Sequence, residues 1–117
     1  MKAMDNRYFN ILAHPTGRLI NERAPYEVDM EKVMEKAAET GCFLEVNAHP
    51  DRLDLSDRFC RMAKEAGVKL AVCTDAHSTT DLQFMRFGVD QARRGWLEAD
   101  NVINTRTLND LRMLLKR

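Results

Sequence analysis

Short apolar runs alternate along this chain with stretches in which apolar residues recur every three or four positions, and the two periods divide it into strands and helices. Residues 9–13 form the first apolar run; it stops at His14-Pro15 and gives way to a polar, Pro- and Gly-containing stretch through Tyr26, so a strand feeds a long loop. From Asp29 onward Met30, Val33, Met34, Ala37 and Ala38 repeat with helical spacing, with Asp29 as N-cap and Gly41 as terminator. Residues 42–47 read as a second strand, closed by Pro50, and Ser56 opens a helix whose Phe59, Met62, Ala63 and Ala66 share a face and which Gly67 ends. Residues 68–73 form a third strand. After a turn at 74–78, a helix starting near Thr80 or Asp81 directs Leu82, Met85, Val89 and Ala92 inward and closes at Gly95. Val102-Ile103 is a short strand candidate, and Leu108, Leu111, Leu114 and Leu115 mark a last helix whose C-terminal dipole Lys116 and Arg117 would favour.

The resulting order, βαβαβα(β)α, predicts an α/β fold with parallel strands joined by right-handed crossovers. His14, Asn47, Asp75 and His77 then all fall at or just past the C-terminal end of a strand, the edge that carries the chemistry in parallel α/β folds.

Asp75 and His77 are two residues apart and, in extended backbone, project to one side, where a hard carboxylate and a neutral imidazole suit Zn, Mn or Fe better than Mg alone. An isolated D-x-H also reads as a helix cap beside an exposed loop histidine. Pro15 restricts the backbone of His14 to extended conformations, which would fix the direction of that imidazole; a solvated or capping histidine is the plainer alternative. Glu45 and Asn47 share a strand face and are candidates to orient metal ligands from behind. Arg18 and Arg52 flank the same rim, where a guanidinium can hold a phosphate with two hydrogen bonds or pair with Asp51 or Asp54. His49 lies in what reads as a solvated turn with Asp51 and Arg52 and is a weak ligand candidate. Arg93-Arg94-Gly95-Trp96 suits nucleic-acid backbone and base stacking, but equally dipole neutralisation and a core tryptophan, the reading preferred from sequence.

Composition narrows these options. At 117 residues and 44% apolar, the chain can build one modest core. Lys plus Arg and Asp plus Glu number 18 each, so no global field points to a polyanionic partner, although a local basic patch can hide in that average. Three cysteines without C-x-x-C spacing point to a reducing, cytoplasmic setting, and Cys42 and Cys73, inside apolar runs, read as small hydrophobes. No run approaches the roughly 18 apolar residues of a membrane span. Phosphate-binding glycine loops, nucleophile elbows and Cys-His pairs are absent, which leaves hydrolysis by metal-activated water as the best enzyme class.

Four ordered words, HPTGRL (14–19), EVNAHPDRLDL (45–55), CTDAHS (73–78) and FGVDQARRGW (87–96), together resemble the C-terminal half of the PHP (polymerase and histidinol phosphatase) domain of bacterial and archaeal family X DNA polymerases, over about residues 8–116. The resemblance implies part of a distorted seven-stranded β/α barrel, about three to four βα units, with two or three divalent metals, Mn or Zn, at its C-terminal rim. It also implies 3′-5′ exonuclease and related phosphoesterase activity in DNA repair, with DNA and the polymerase core as partners. Carried over residue by residue, His14 matches the histidine of the family's H-P motif and Asp75 and His77 its closing D-x-H, all three metal ligands there. The family's opening H-x-H, next histidine and bridging glutamate precede His14 in the domain and have no counterpart here. The expectation is therefore a domain without its N-terminal half, inactive alone and, through its cut barrel edge, prone to pair with other chains. A stand-alone phosphatase of small monoesters and a non-catalytic module supporting a polymerase remain the alternatives.

Overall fold

The computed structural model describes residues 1–115; the expected dipole contribution of Lys116 and Arg117 lies outside them. The chain forms strand β1 (Ile11–Leu12), helix α1 (Met30–Thr40), strand β2 (Phe43–Asn47), helix α2 (Asp57–Glu65), strand β3 (Leu70–Cys73), helix α3 (Met85–Arg94) and helix α4 (Leu108–Leu114), with 3₁₀ turns at Lys2–Asp5, Thr79–Phe84, Ala99–Asn101 and Ile103–Thr105. The three strands make one parallel sheet in the order β1-β2-β3, with Leu12 beside Leu44 and Asn47 beside Cys73.

Local signals act where the sequence places them. The Asp29 side chain accepts the Lys32 N–H at the start of α1, Gly41 ends that helix at φ 71°, and Ser56 accepts the Phe59 N–H at the start of α2. The central strand is buried on both faces: all five residues of β2, the polar Glu45 and Asn47 included, are shielded from solvent. Its apolar members Leu44 and Val46 join Met34, Ala37, Leu55, Cys60, Ala63 and Leu70 in the main core. A run of this kind is the mark of a parallel strand covered by helices.

Several sequence expectations are corrected here. Ala38 and Ala66 are exposed, so the buried faces of α1 and α2 are narrower than the spacing suggests. The element predicted to start near Thr80 is 3₁₀ as far as Phe84; its three-residue turn puts the apolar positions out of phase with the α-helix that follows. Leu82 and Val89 consequently face outward, and the buried stripe of α3 is Gly88, Gln91 and Ala92. Val102-Ile103 does not form a strand. Leu70 and Val102 share a single parallel bridge before the chain winds into Ile103–Thr105, and the Asn104 side chain fills the ladder instead, accepting from Val72 N and donating to Val72 O, both at 2.8 Å.

Helix α3 approaches the sheet closely because Gly88 has no side chain: a Cβ there would lie 2.5 Å from Val72 Cγ1 and 2.7 Å from Ala48 Cβ. Alanine would gain up to about 1 kcal/mol of helix propensity, against about 1–3 kcal/mol for overpacking a contact with no slack. Gly88→Ala is therefore expected to destabilise the fold by up to about 2 kcal/mol, read as a lower urea midpoint with an unchanged slope.

Candidate metal and phosphate site

The parallel sheet brings the loops after β1, β2 and β3 to one rim, and a single buried carboxylate laces the first two together. Asp54, fully buried, accepts from Thr16 N, Thr16 Oγ1 at 2.8 Å and Gly17 N at 2.9 Å, while its own carbonyl accepts Asn47 N–H at 2.5 Å. Arg18 reinforces the lacing by donating from Nε to Arg52 O at 2.8 Å and from a terminal nitrogen to Leu53 O. Neither Asp51 nor Asp54 pairs with Arg18; its guanidinium braces main chain. Arg52 is half-buried in the same loop, and its side chain makes no hydrogen bond or ion pair among the described residues.

This lacing turns His14 toward the end of β2. Its φ is +47° and that of Asp75 is +54°, so both leave their strands in the left-handed region, which non-glycine residues enter at a cost of about 1–2 kcal/mol. The extended backbone expected for His14 ahead of Pro15 is thus corrected: the Glu45 carboxylate accepts the His14 N–H at 3.1 Å and fixes the tight turn.

Asn47 is the hub. Its Oδ1 accepts the His49 N–H at 3.0 Å, which sets the orientation of the amide and aims Nδ2 at the rim. Three groups meet that nitrogen: Asp75 Oδ2 at 3.2 Å, Glu45 Oε1 at 3.3 Å and His14 Nδ1 at 3.3 Å. Since Nδ2 is a donor, His14 Nδ1 faces it as an acceptor, and two amide protons serve three acceptors. Glu45 Oε1 also lies 3.6 Å from His14 Nδ1. The electrostatic character of this spot is recorded by Cys73, whose thiol is pushed up to about 11, first by burial and then by the negative charges of Glu45 and Asp75. It is no nucleophile, nor is the buried Cys60, held near 12. Cys42 is fully enclosed as expected, whereas Cys73 is half-buried.

His77 stands apart from the hub, exposed on the loop beyond Asp75. Its Nδ1 lies 2.8 Å from the Asp75 carbonyl, which can only accept, so Nδ1 is the donor in that bond. Asp81 holds the loop by accepting the His77 N–H at 3.0 Å, and that bond keeps its carboxyl below the ordinary range. His49 turns away: its Nδ1 accepts Asp51 N–H at 3.2 Å and its ring meets Phe84 edge-on at 5.2 Å. Among the described residues no three His, Cys, Asp or Glu side chains form a ready-made metal cage. His14, Glu45 and Asp75 are instead gathered around an amide.

Sequence reasoning named Asp54 only as a salt-bridge partner and missed Thr16 and Asp81. The one available signal was an acid flanked by Leu53 and Leu55, an apolar context in which a carboxylate must be satisfied by nearby N–H groups.

The chain is a parallel βα segment with acids and histidines gathered at its C-terminal strand ends, and comparison with known proteins gives it relatives. No family model matches the chain. It is 48% identical over 98% of its length to the DNA polymerase/3′-5′ exonuclease PolX of Bacillus subtilis (strain 168), of which it spans 20%. It is 32% identical over 90% of its length to a probable phosphatase of Thermoanaerobacter sp. (strain X514), spanning 43% of that protein, and 34% identical over 70% of its length to one of Caldanaerobacter subterraneus, spanning 32%. The chain is thus a homologue of a segment of the family X polymerase/exonucleases, and it covers about a fifth of the polymerase and less than half of the phosphatases.

Because Asp54 satisfies three donors in a dry interior, Asp54→Ala is expected to cost at least about 2 kcal/mol, several times a surface substitution such as Glu35→Ala. Chemical denaturation of the two variants compares them directly.

Proposed function

We propose that this chain is the later part of a divalent-metal-dependent phosphoesterase domain of the family X polymerase type, in which His14, Asp75 and His77 ligate metal. The convergence of His14 Nδ1, Glu45 Oε1 and Asp75 Oδ2 within 3.3 Å of one amide nitrogen carries this reading. Acceptors pointing at an electropositive centre are the donor set a small cation requires, and one imidazole with carboxylates favours Mn or Zn over Mg alone. Two or three such ions belong to the complete domain. Bound divalent ions would lower the pKa of a water and neutralise charge developing on phosphate oxygens.

The chain's own residues prepare that chemistry. Glu45 holds the His14 turn through its N–H, and Asn47 ties His14 and Asp75 to β2, so the two strand ends keep their separation. Protonation of His77 on Nδ1 leaves Nε2 free to ligate. Arg52 is the guanidinium available to a substrate phosphate, with Arg18 positioning its loop. The substrate in this reading is a polynucleotide end, the partners are DNA, the upstream half of the domain and the polymerase core, and the three free cysteines fit the cytoplasm. Taken alone the 117-residue chain would bind at most a single metal weakly and catalyse little, and the edge strand β1 would be open to pairing with another chain. Similarity to two probable phosphatases favours a second reading, hydrolysis of small phosphate monoesters.

In the complete protein with Mn²⁺, Asp75→Ala is expected to lower hydrolysis of the p-nitrophenyl ester of thymidine monophosphate by more than about 100-fold, and Asn47→Ala by about 10–100-fold. Undiminished diesterase activity in Asp75→Ala would sink the assignment; faster cleavage of p-nitrophenyl phosphate than of the diester would favour the monoester reading.

A further inference from the structure

The segment Arg93-Arg94-Gly95-Trp96 does not do what its sequence suggests, because Trp96 is 64% exposed rather than part of the core. The cause is local. A Cβ at Gly95 would lie 2.6 Å from Cys60 Cβ and 2.8 Å from Asp57 O, so the chain passes in contact with α2 and leaves at Trp96 with φ +63°, directing the indole outward. Lys64 then fastens this exit by donating to the Trp96 carbonyl at 2.8 Å.

The indole sits in a basic cleft. Arg58, Arg61, Arg94 and Trp96 line it with Asp57. The Arg61 guanidinium lies 4.2 Å from the ring centroid, bracing one face of the indole, and its Nε is 3.3 Å from Glu65. Arg94 meets Asp57 only at 3.8 Å, and no hydrogen bond or ion pair engages the Arg58 side chain among the described residues. Four cations, Arg58, Arg61, Lys64 and Arg94, thus face two anions, Asp57 and Glu65, an excess of two charges in a chain whose totals balance at 18 each.

Dipole neutralisation at the end of α3 accounts for Arg93 and Arg94 but needs no exposed aromatic. A protein partner would find a single indole amid charges rather than a continuous apolar patch. What suits one open aromatic face with loosely engaged guanidinium groups beside it is a ligand that is flat, apolar on its faces and flanked by anions: an unpaired nucleobase with its phosphates. A duplex hides those faces.

We propose that this cleft is a second binding surface, for single-stranded nucleic acid, with a base stacked on Trp96 and flanking phosphates on Arg58 and Arg94. It shares no residue with the His14–Asp75 cluster and stands whether or not that cluster is a phosphoesterase.

Trp96 is the one tryptophan in the sequence, so its emission reports the site directly. Titrating the 117-residue chain with single-stranded oligothymidylate at low salt should quench that emission saturably. In the Arg58→Ala/Arg94→Ala double variant the affinity should fall about tenfold and the slope of log K against log salt should shrink by about 1.4, the value for two phosphates on a single strand. Trp96→Ala, followed by anisotropy of a labelled oligonucleotide and checked for folding by circular dichroism, should weaken binding by more than about fivefold, with Trp96→Phe restoring most of it. Absence of quenching, quenching that the double variant leaves unchanged, or equal binding of duplex would each overturn the proposal. So would quenching by the remainder of a polymerase but not by the oligonucleotide, which would make this a protein contact.

Discussion

The rim of this molecule depends on how one buried carboxylate is satisfied. Asp54 sits in the dry interior between Leu53 and Leu55, and removing a charge from water is affordable only when N–H and O–H groups replace the lost hydration. Thr16 and Gly17 supply those donors, which pins the loop after β1 to the loop after β2, and the Asp54 main chain in turn caps the end of β2 at Asn47. Residues 20–29 of the long polar segment that follows are exposed, and the Arg18 bonds to Arg52 O and Leu53 O and the Ile20 N–H bond to Asp51 O add to the Asp54 lacing. The positions of His14 and Asn47 follow from this constraint, and through Asn47 so does that of Asp75.

A second layer is electrostatic. His14 and Asp75 both enter the left-handed region as they leave their strands, a cost repaid only by the interactions they reach, and both reach the Asn47 amide. One amide nitrogen cannot saturate a carboxylate pair and an imidazole. Burial first, and then the charges of Glu45 and Asp75, push the neighbouring Cys73 thiol up to about 11. The basic surface around Trp96 is built by an opposite device, close backbone contact at Gly95 that forces an aromatic out among arginines.

Much of this was legible in the sequence because it depends on local rules. The caps at Asp29 and Ser56, the αL terminator at Gly41 and the buried run of β2 all follow from propensities acting over a few residues. The placement of His14, Asn47 and Asp75 at strand ends followed from strand order alone. What stayed hidden was set by contacts distant in sequence. Asp54 and Thr16 are 38 residues apart, and nothing near either one announces the pair. The exposure of Trp96 follows from how closely Gly95 abuts Cys60, and the loss of the strand at Val102 from an Asn104 side chain that imitates a neighbouring strand. Helical phase at Leu82 failed for a different reason, since a 3₁₀ turn and an α-helix place the same spacing on different faces.

Paramagnetic broadening on the isolated chain would reveal whether His14, Asp75 and their neighbours form a cation site organised by Asn47. Mn²⁺ titrated into ¹⁵N-labelled protein reports proximity even when binding is weak. The amide resonances of His14, Glu45, Asn47, Asp75 and His77 should broaden first and together, Trp96 should be spared, and Asp75→Ala should abolish the pattern. Broadening centred elsewhere, or unchanged by Asp75→Ala, would contradict it.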